Sequence, residues 1–182
     1  MSSGPRIAPG DRHQLGWVNF AITQVTGIAT RGRPPHIFTT LGRHRSLFRR
    51  WLWFAAALMP RGKLAREETE LVILRVAHNT GSEYEWSHHE RIGALTGLSE
   101  GEISRVRIGP DAPGWSERQR LLLRTADEMH DKRRIEDELW GRLSSHYDEV
   151  RLIELCMLIG HYEMLAMTLN TLEIQPEKPV RL

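Results

Sequence analysis

Residues 70–90, ELVILRVAHNTGSEYEWSHHE, decide the reading of this chain. The first half repeats apolar residues at helical spacing, with Leu71 and Leu74 on one row and Val72 and Val76 on another. Asn79-Thr80-Gly81 is a helix stop, since glycine and asparagine accept the left-handed conformation that closes a helix. The second half restarts at Ser82, a natural N-cap, and Glu85 three residues on predicts a capping box. The stretch therefore predicts two helices joined by a tight turn. It also holds Glu70, His78, Glu83, Tyr84, Glu85, His88, His89 and Glu90, a dense titratable set between apolar rows.

Outward from this hairpin the pattern stays helical. On the N-terminal side, 46–59 (SLFRRWLWFAAALM) places Leu47, Arg50 or Trp51, Phe54 and Leu58 on one face, and Pro60-Arg61-Gly62 ends it. The hairpin's own first helix is expected over 65–79 with Glu67 and Glu68 in its first turn, where they suit the helix dipole. Its second helix is expected over 82–95. Ser99 with Glu102 is a further capping box opening a short helix over 100–106. After the Pro/Gly loop at 109–114, Ser116 caps a helix to about His130, another covers 135–146, and the last spans 151–172. Residues 1–35, rich in Gly, Pro and Arg, read as an N-terminal arm, partly irregular, with a short helix near Trp17 to Val25. The expected helical domain is 36–176, with a tail at 177–182. No segment shows sustained strand alternation, so the fold class is all-α.

Composition narrows the function classes. At 182 residues with 40% hydrophobic and 26% charged, the chain suits one ordinary globular domain. The single Cys156 excludes an intramolecular disulfide, a CxxC redox centre and a cysteine-rich zinc site. A formal net charge of +2 gives no argument for nucleic acid, although Arg43, Arg45, Arg49 and Arg50 cluster. The N-terminus lacks an apolar signal-peptide core. The apolar stretch 152–172 carries Glu154, His161 and Glu163, which fits a buried helix and no membrane span. The expected location is cytoplasmic.

Spacing sorts the candidate chemistry. Glu85 and His89 stand four apart on one helix face, Glu85 and His88 three apart. A carboxylate beside an imidazole is a proton-transfer pair: it fixes the ring's tautomer and supports its charged form. The plain alternative is a surface helix pair of little energetic weight. Glu85-Trp86-Ser87-His88 also has the Glu-x-x-His spacing of di-iron bundles, but no second copy exists, so no metal is expected. No G-x-S-x-G elbow accompanies Ser82 or Ser87. His161 and Tyr162, within the last apolar run, read as a core histidine and a residue able to line a pocket.

The same stretch resembles the core of the carboxymuconolactone decarboxylase and alkylhydroperoxidase-D family, from about Pro34 through Pro176. In the redox branch a glutamate is followed twelve residues on by Cys-x-x-Cys, and a histidine follows four after the second cysteine. Glu70 sits at the glutamate, Ser82 at the first cysteine, Glu85 at the second and His89 at the histidine, with Tyr84 between. The resemblance implies an AhpD-like bundle around a helical hairpin, assembled as a homo-oligomer (dimer, trimer or hexamer). It does not carry redox chemistry here, because peroxide reduction needs a thiolate and a resolving thiol, and neither sulfur is present. What it does imply is a cofactor-independent acid/base enzyme, a lyase or isomerase on a small lactone or carboxylic acid. In it His89 is the acid/base, Glu85 its orienter or a second base, Glu70 the end of the relay and Tyr84 an oxyanion donor. Ser82, Trp53, Phe54, Trp86, His161 and Tyr162 are the expected substrate-binding residues. The alternatives are a non-catalytic binding or assembly protein, and a hydroperoxidase label inherited without its cysteines, which would require Cys156 to approach His89.

Overall fold

The computed structural model describes residues 4–29 and 33–177, and among them every regular element is helical. The described residues form nine helices in chain order: α1 (Arg12–Ala29), α2 (His36–Leu41), α3 (Arg45–Leu58), α4 (Arg66–Asn79), α5 (Glu83–Thr96), α6 (Glu100–Val106), α7 (Glu117–Lys132), α8 (Asp137–Ser144) and α9 (Glu149–Leu172). Parts of the arm and of the tail at 177–182 lie outside the described residues. The chain divides into two compact units, Met1–Ala55 with Thr168–Leu182, and Ala56–Met167.

In the first unit the helix expected near Trp17 extends over the whole of α1, interrupted at Gly16, whose φ of 72° lies in the left-handed region. A Cβ there would come within 3.0 Å of the Arg45 guanidinium, so glycine serves both the backbone and the approach. Buried Asn19 donates from Nδ2 to the Gly42 carbonyl at 2.9 Å, tying α1 to the end of α2. Phe38, Phe48 and Trp51 form an aromatic cluster with centroids about 6 Å apart. Of the face expected for α3, Leu58 is buried, but the rest is corrected: Phe48 is buried, while Leu47 and Phe54 are exposed. Phe48 turns inward because its ring packs against Phe38 of α2 and Trp51.

The second unit is built on α4, whose Leu71, Val72, Ile73, Leu74, Val76 and Ala77 are all buried. Burial runs without a break from Glu68 to Leu74, so this helix is enclosed on all sides, and α5, α6 and α7 pack against it. The turn from α4 to α5 passes through Gly81 at φ 63°. At Gly93 of α5 an added Cβ would stand 3.1 Å from Leu98 and 3.5 Å from Leu74, so the missing side chain lets α5 lie close to α4. Arg75 grips Asp127 of α7 through Nε (2.6 Å) and Nη2 (2.9 Å), and Asn79 adds a third bond to the same carboxylate. Near the start of α4, Glu68 accepts from the Tyr147 hydroxyl at 2.9 Å and pairs with Arg118 at 2.8 Å. Glu154 of α9 accepts from the backbone N–H groups of Lys63 (2.6 Å) and Leu64 (3.0 Å), pinning the approach to α4. The capping box expected at Ser99 is formed, and the cap expected at Ser116 is formed as well, there as a full box with Gln119. By length and composition α9 is apolar enough to cross a membrane, yet 56% of that window is buried inside the protein. With Glu154, His161 and Glu163 along it, α9 reads as a core helix.

Candidate active site

The hairpin of the second unit brings a polar cluster into the core. Glu70 sits one turn beyond Arg66 on α4 and is 0% exposed. Its two oxygens are divided: Oε1 accepts from Arg66 Nη2 at 2.7 Å, and Oε2 lies 2.6 Å from His89 Nδ1. His89, on α5, is itself buried. A carboxylate only accepts, so the proton of this bond belongs to Nδ1, and Nε2 is the ring nitrogen left for other chemistry. Tyr162 of α9 meets the His89 ring edge to face at 5.2 Å, and its hydroxyl points to the Met59 thioether at 3.8 Å.

The pairing expected from spacing is corrected by this geometry. Glu85 does not hydrogen-bond His89, and neither of its carboxylate oxygens has a partner within the protein. The capping box expected for Ser82 with Glu85 is not formed either: Ser82 is the N-cap residue of α5, but its side chain accepts no cap bond. Glu85 is turned inward and only 2% exposed, so its carboxyl is unavailable to the Ser82 backbone. Burial pushes that carboxyl up to about 8, with the charge of Glu163 adding to the rise. Ser82 works in the opposite direction from close by, but no hydrogen bond between the two is completed by geometry. Burial wins, because a carboxylate removed from water without donors is costly. Glu85 therefore carries its proton at neutral pH.

The neighbouring groups follow the same physics. The Tyr162 hydroxyl is raised well above 10, first by burial and then by the negative charges of Glu70 and Glu85, with Arg66 pulling the other way. It remains a hydrogen-bond donor throughout the physiological range. His161, adjacent in sequence and edge to face with Tyr162 at 5.2 Å, is lowered to about 4 by burial and stays neutral.

The remaining expected residues are placed as follows. Ser82 and Tyr84 are buried at the start of α5, and the Tyr84 ring stacks on His88 at 4.6 Å. Trp86 is buried with its Nε1 donating to Glu90 at 3.0 Å and the Arg107 guanidinium 3.8 Å over its ring. Trp53 and Phe54 belong to the first unit, where both are exposed. Sequence reasoning missed Arg66, although its four-residue spacing to Glu70 is the same pattern used for Glu85 and His89. Cys156 on α9 is half buried, its thiol raised by burial, and it makes no hydrogen bond to His89. Among the described residues no group of three or more His, Cys, Asp or Glu is arranged to hold a metal ion.

The comparisons agree with the helical hairpin. Residues 45–128 match the model of the Carboxymuconolactone decarboxylase family. Among solved structures, the AhpD-core peroxidase-related protein from Ralstonia eutropha JMP134 superposes with a TM-score of 0.86 at 16% identity, covering 98% of this chain and 95% of that one. A peroxidase-related protein from Silicibacter sp. TM1040 follows at 0.81 and 15% identity, covering 97% and 96%. The apo debrominase Bmp8 follows at 0.79 and 16% identity, covering 94% and 91%. A comparison with curated protein sequences gives no significant match. Among the described residues the fold is an AhpD-like all-α bundle. The segment 45–128 carries the carboxymuconolactone decarboxylase family's pattern, set within an AhpD-like helical fold.

Proposed function

We propose that this chain is a cofactor-independent acid/base enzyme, a lyase or isomerase acting on a small lactone or carboxylic acid. The observation that carries the reading is the buried 2.6 Å contact between Glu70 and His89, with a protonated Glu85 in the same cluster. In the proposed step His89 Nε2 takes a proton from the carbon next to the substrate carbonyl. The electron pair of the broken C–H bond moves to the carbonyl oxygen as an enolate. Tyr162, a donor with only a thioether opposite it, stabilises that oxygen. Glu85 returns a proton at the far end of the conjugated system, which shifts the double bond, and is recharged from His89. Two groups whose surroundings separate their proton affinities are what such an exchange requires. The Tyr84 role expected from sequence passes in this reading to Tyr162.

The deciding experiment is a pH–rate survey over unsaturated carboxy-lactones and neutral lactones, without added metal or reductant, beside His89→Ala and Glu85→Gln. The expected result is turnover in the wild type and its loss, by about 10²–10⁴-fold, in both variants. A folded wild-type protein that turns over nothing in the panel would move the reading to a binding or assembly role.

The proposal includes self-association. Val150, Ile153, Met157, Met164 and Met167 are exposed along α9, with exposed Gly160 between them. They recur at alternating three- and four-residue steps, the spacing of a helix seam that a second copy of the same helix matches. Sedimentation of the wild type against Met157→Glu/Met164→Glu tests this: a single mass at the monomer value for both would overturn it.

A further inference from the structure

Arg66 is only partly explained by its bond to Glu70. Nη2 serves that carboxylate, but Nη1 of the same guanidinium is buried and has no hydrogen-bond partner within the protein. A charged donor left in that state is costly, because the desolvation of the N–H is not returned by an acceptor. The residue also stands in the first turn of α4, at the positive end of the helix dipole, where a cation is disfavoured. Its acidic neighbours do not complete it: Glu68 is engaged by Tyr147 and Arg118, and Glu67 is exposed. Both Glu70 oxygens are already in use, and Glu85 makes no bond to any group.

The side chain is nonetheless in the right place to meet a ligand. It is 34% exposed, against 0% for Glu70 and 9% for His89, so it forms the part of the chain Arg66–Glu70–His89 that reaches toward solvent. Resting on the reading above, we infer that Arg66 anchors the substrate by donating from Nη1 to its carboxylate, while the reacting carbon lies deeper, at His89 Nε2. Such a carboxylate supplies the missing acceptor, and the guanidinium stays fixed by Glu70 on its other nitrogen. The ligand class is a small monocarboxylate with a flat, unsaturated body: the charge for Arg66, and the body for the edge of His89 and the ring of Tyr162. Arginine suits this better than lysine, because one rigid fork holds Glu70 and the ligand at once.

The test is direct binding, followed by calorimetry or ligand-observed NMR, of 2-furoate and its neutral methyl ester to the full-length protein. The wild type should bind the acid at least about tenfold more tightly than the ester. Arg66→Lys keeps the charge beside Glu70 but gives up the second donor, and should weaken the acid by about 10- to 100-fold while leaving the ester unchanged. The double variant Arg66→Met/Glu70→Gln, which leaves no unpaired charge, should do the same, with thermal unfolding showing that both variants are folded. Equal binding of acid and ester, unchanged acid affinity in folded Arg66→Lys, or no binding of 2-furoate to the wild type would each overturn the assignment. Its failure is separable from that of the proposed reaction. Neutral lactones turned over in a His89-dependent way, with carboxylates ignoring Arg66, would remove the anchor and keep the chemistry. Carboxylates held by Arg66 without any turnover would do the reverse.

Discussion

Glu70 and His89 meet across the α4–α5 hairpin, Oε2 to Nδ1 at 2.6 Å, although nineteen residues separate them in sequence. The partner chosen by the fold is therefore the glutamate on the neighbouring helix, and the one four residues away on the same helix makes no bond to the ring. A carboxylate on α4 can be fixed from both sides, by Arg66 and by His89, before any substrate arrives. Pre-organisation of this kind is what proton transfer in a dry site needs. Glu70→Gln should consequently lower turnover through kcat more than through KM, because the ring loses its orienting charge while the ligand surface is retained. It should also destabilise the fold by about 1–3 kcal/mol, since Arg66 loses its anionic partner but keeps partial access to water. Steady-state kinetics with chemical denaturation checks both. A KM effect alone would place Glu70 in binding and not in proton transfer.

Glu85 predicts an unusual slope of stability against pH. Its folded carboxyl titrates at about 8, against an ordinary value of 4.5. Between those two values the folded chain holds a proton that the unfolded chain has released, so stability falls as pH rises through this window. The contribution is whole below 4.5 and gone above about 8, and amounts to a few kcal/mol. Glu85→Gln should flatten the profile and raise the unfolding midpoint at pH 8.5 while changing little at pH 5. Thermal unfolding at a series of pH values, wild type beside variant, reads this out. Parallel curves would mean that Glu85 is ionised inside the protein.

His161 gives the opposite limb. Burial holds its imidazole at about 4, below the ordinary 6.5, so the unfolded chain takes up a proton that the folded chain refuses. Stability from this group is complete above 6.5 and is lost as pH falls toward 4. His161→Gln should weaken the acid dependence of unfolding below pH 6.5 and leave the Glu85 limb in place. The same thermal series, extended downward, checks it, and an unchanged acid limb would assign that limb to other groups.

How much of this was legible depended on whether local chemistry or packing decided the feature. The bounds of α6, the box at Ser99 and the cap at Ser116 were readable because cap, acceptor and helix start all lie within four residues. The box at Ser82 has the same letters and fails, because Glu85 is drawn into the core from the hairpin's inner face. The six-residue α2 was invisible: it has Pro35 at its N-cap, no side-chain cap bond and too few residues for a period to show. On α3, spacing could not tell the row of Leu47 and Phe54 from that of Phe48, since the choice rests on aromatic contacts made with α2. Within the site, the residue types Glu70, Glu85 and His89 were readable, but their pairing was not. Pairing is set by how α5 is rotated against α4, and part of that is the close approach at Gly93.

Cys156 is the single cysteine of the chain, so a pair of thiols in the hairpin has to be introduced. In the redox branch that the hairpin resembles, Ser82 and Glu85 stand where the two cysteines belong, one helical turn apart at the start of α5. Ser82 and Glu85 are both buried, and neither side chain is held by a hydrogen bond, so exchanging them for sulfur breaks no bond in the cluster. The native Cys156 cannot substitute for them: burial keeps its thiol protonated, and no second cysteine exists to resolve an oxidised sulfur. The wild type and Cys156→Ser should therefore behave alike, neither consuming an organic hydroperoxide catalytically in the presence of a dithiol reductant. Ser82→Cys/Glu85→Cys in the Cys156→Ser background should gain a reducible disulfide on treatment with stoichiometric hydroperoxide: the first thiolate attacks the peroxide and becomes a sulfenic acid, and the second displaces water to close the bond. Thiol titration before and after oxidation counts the two sulfurs directly. Adding His89→Ala should slow that oxidation if the Glu70–His89 pair supplies and removes protons at this point of α5. An oxidation rate indifferent to His89 would show that the pair does not act on the groups at 82 and 85, and would weaken the acid/base reading of the native site with it.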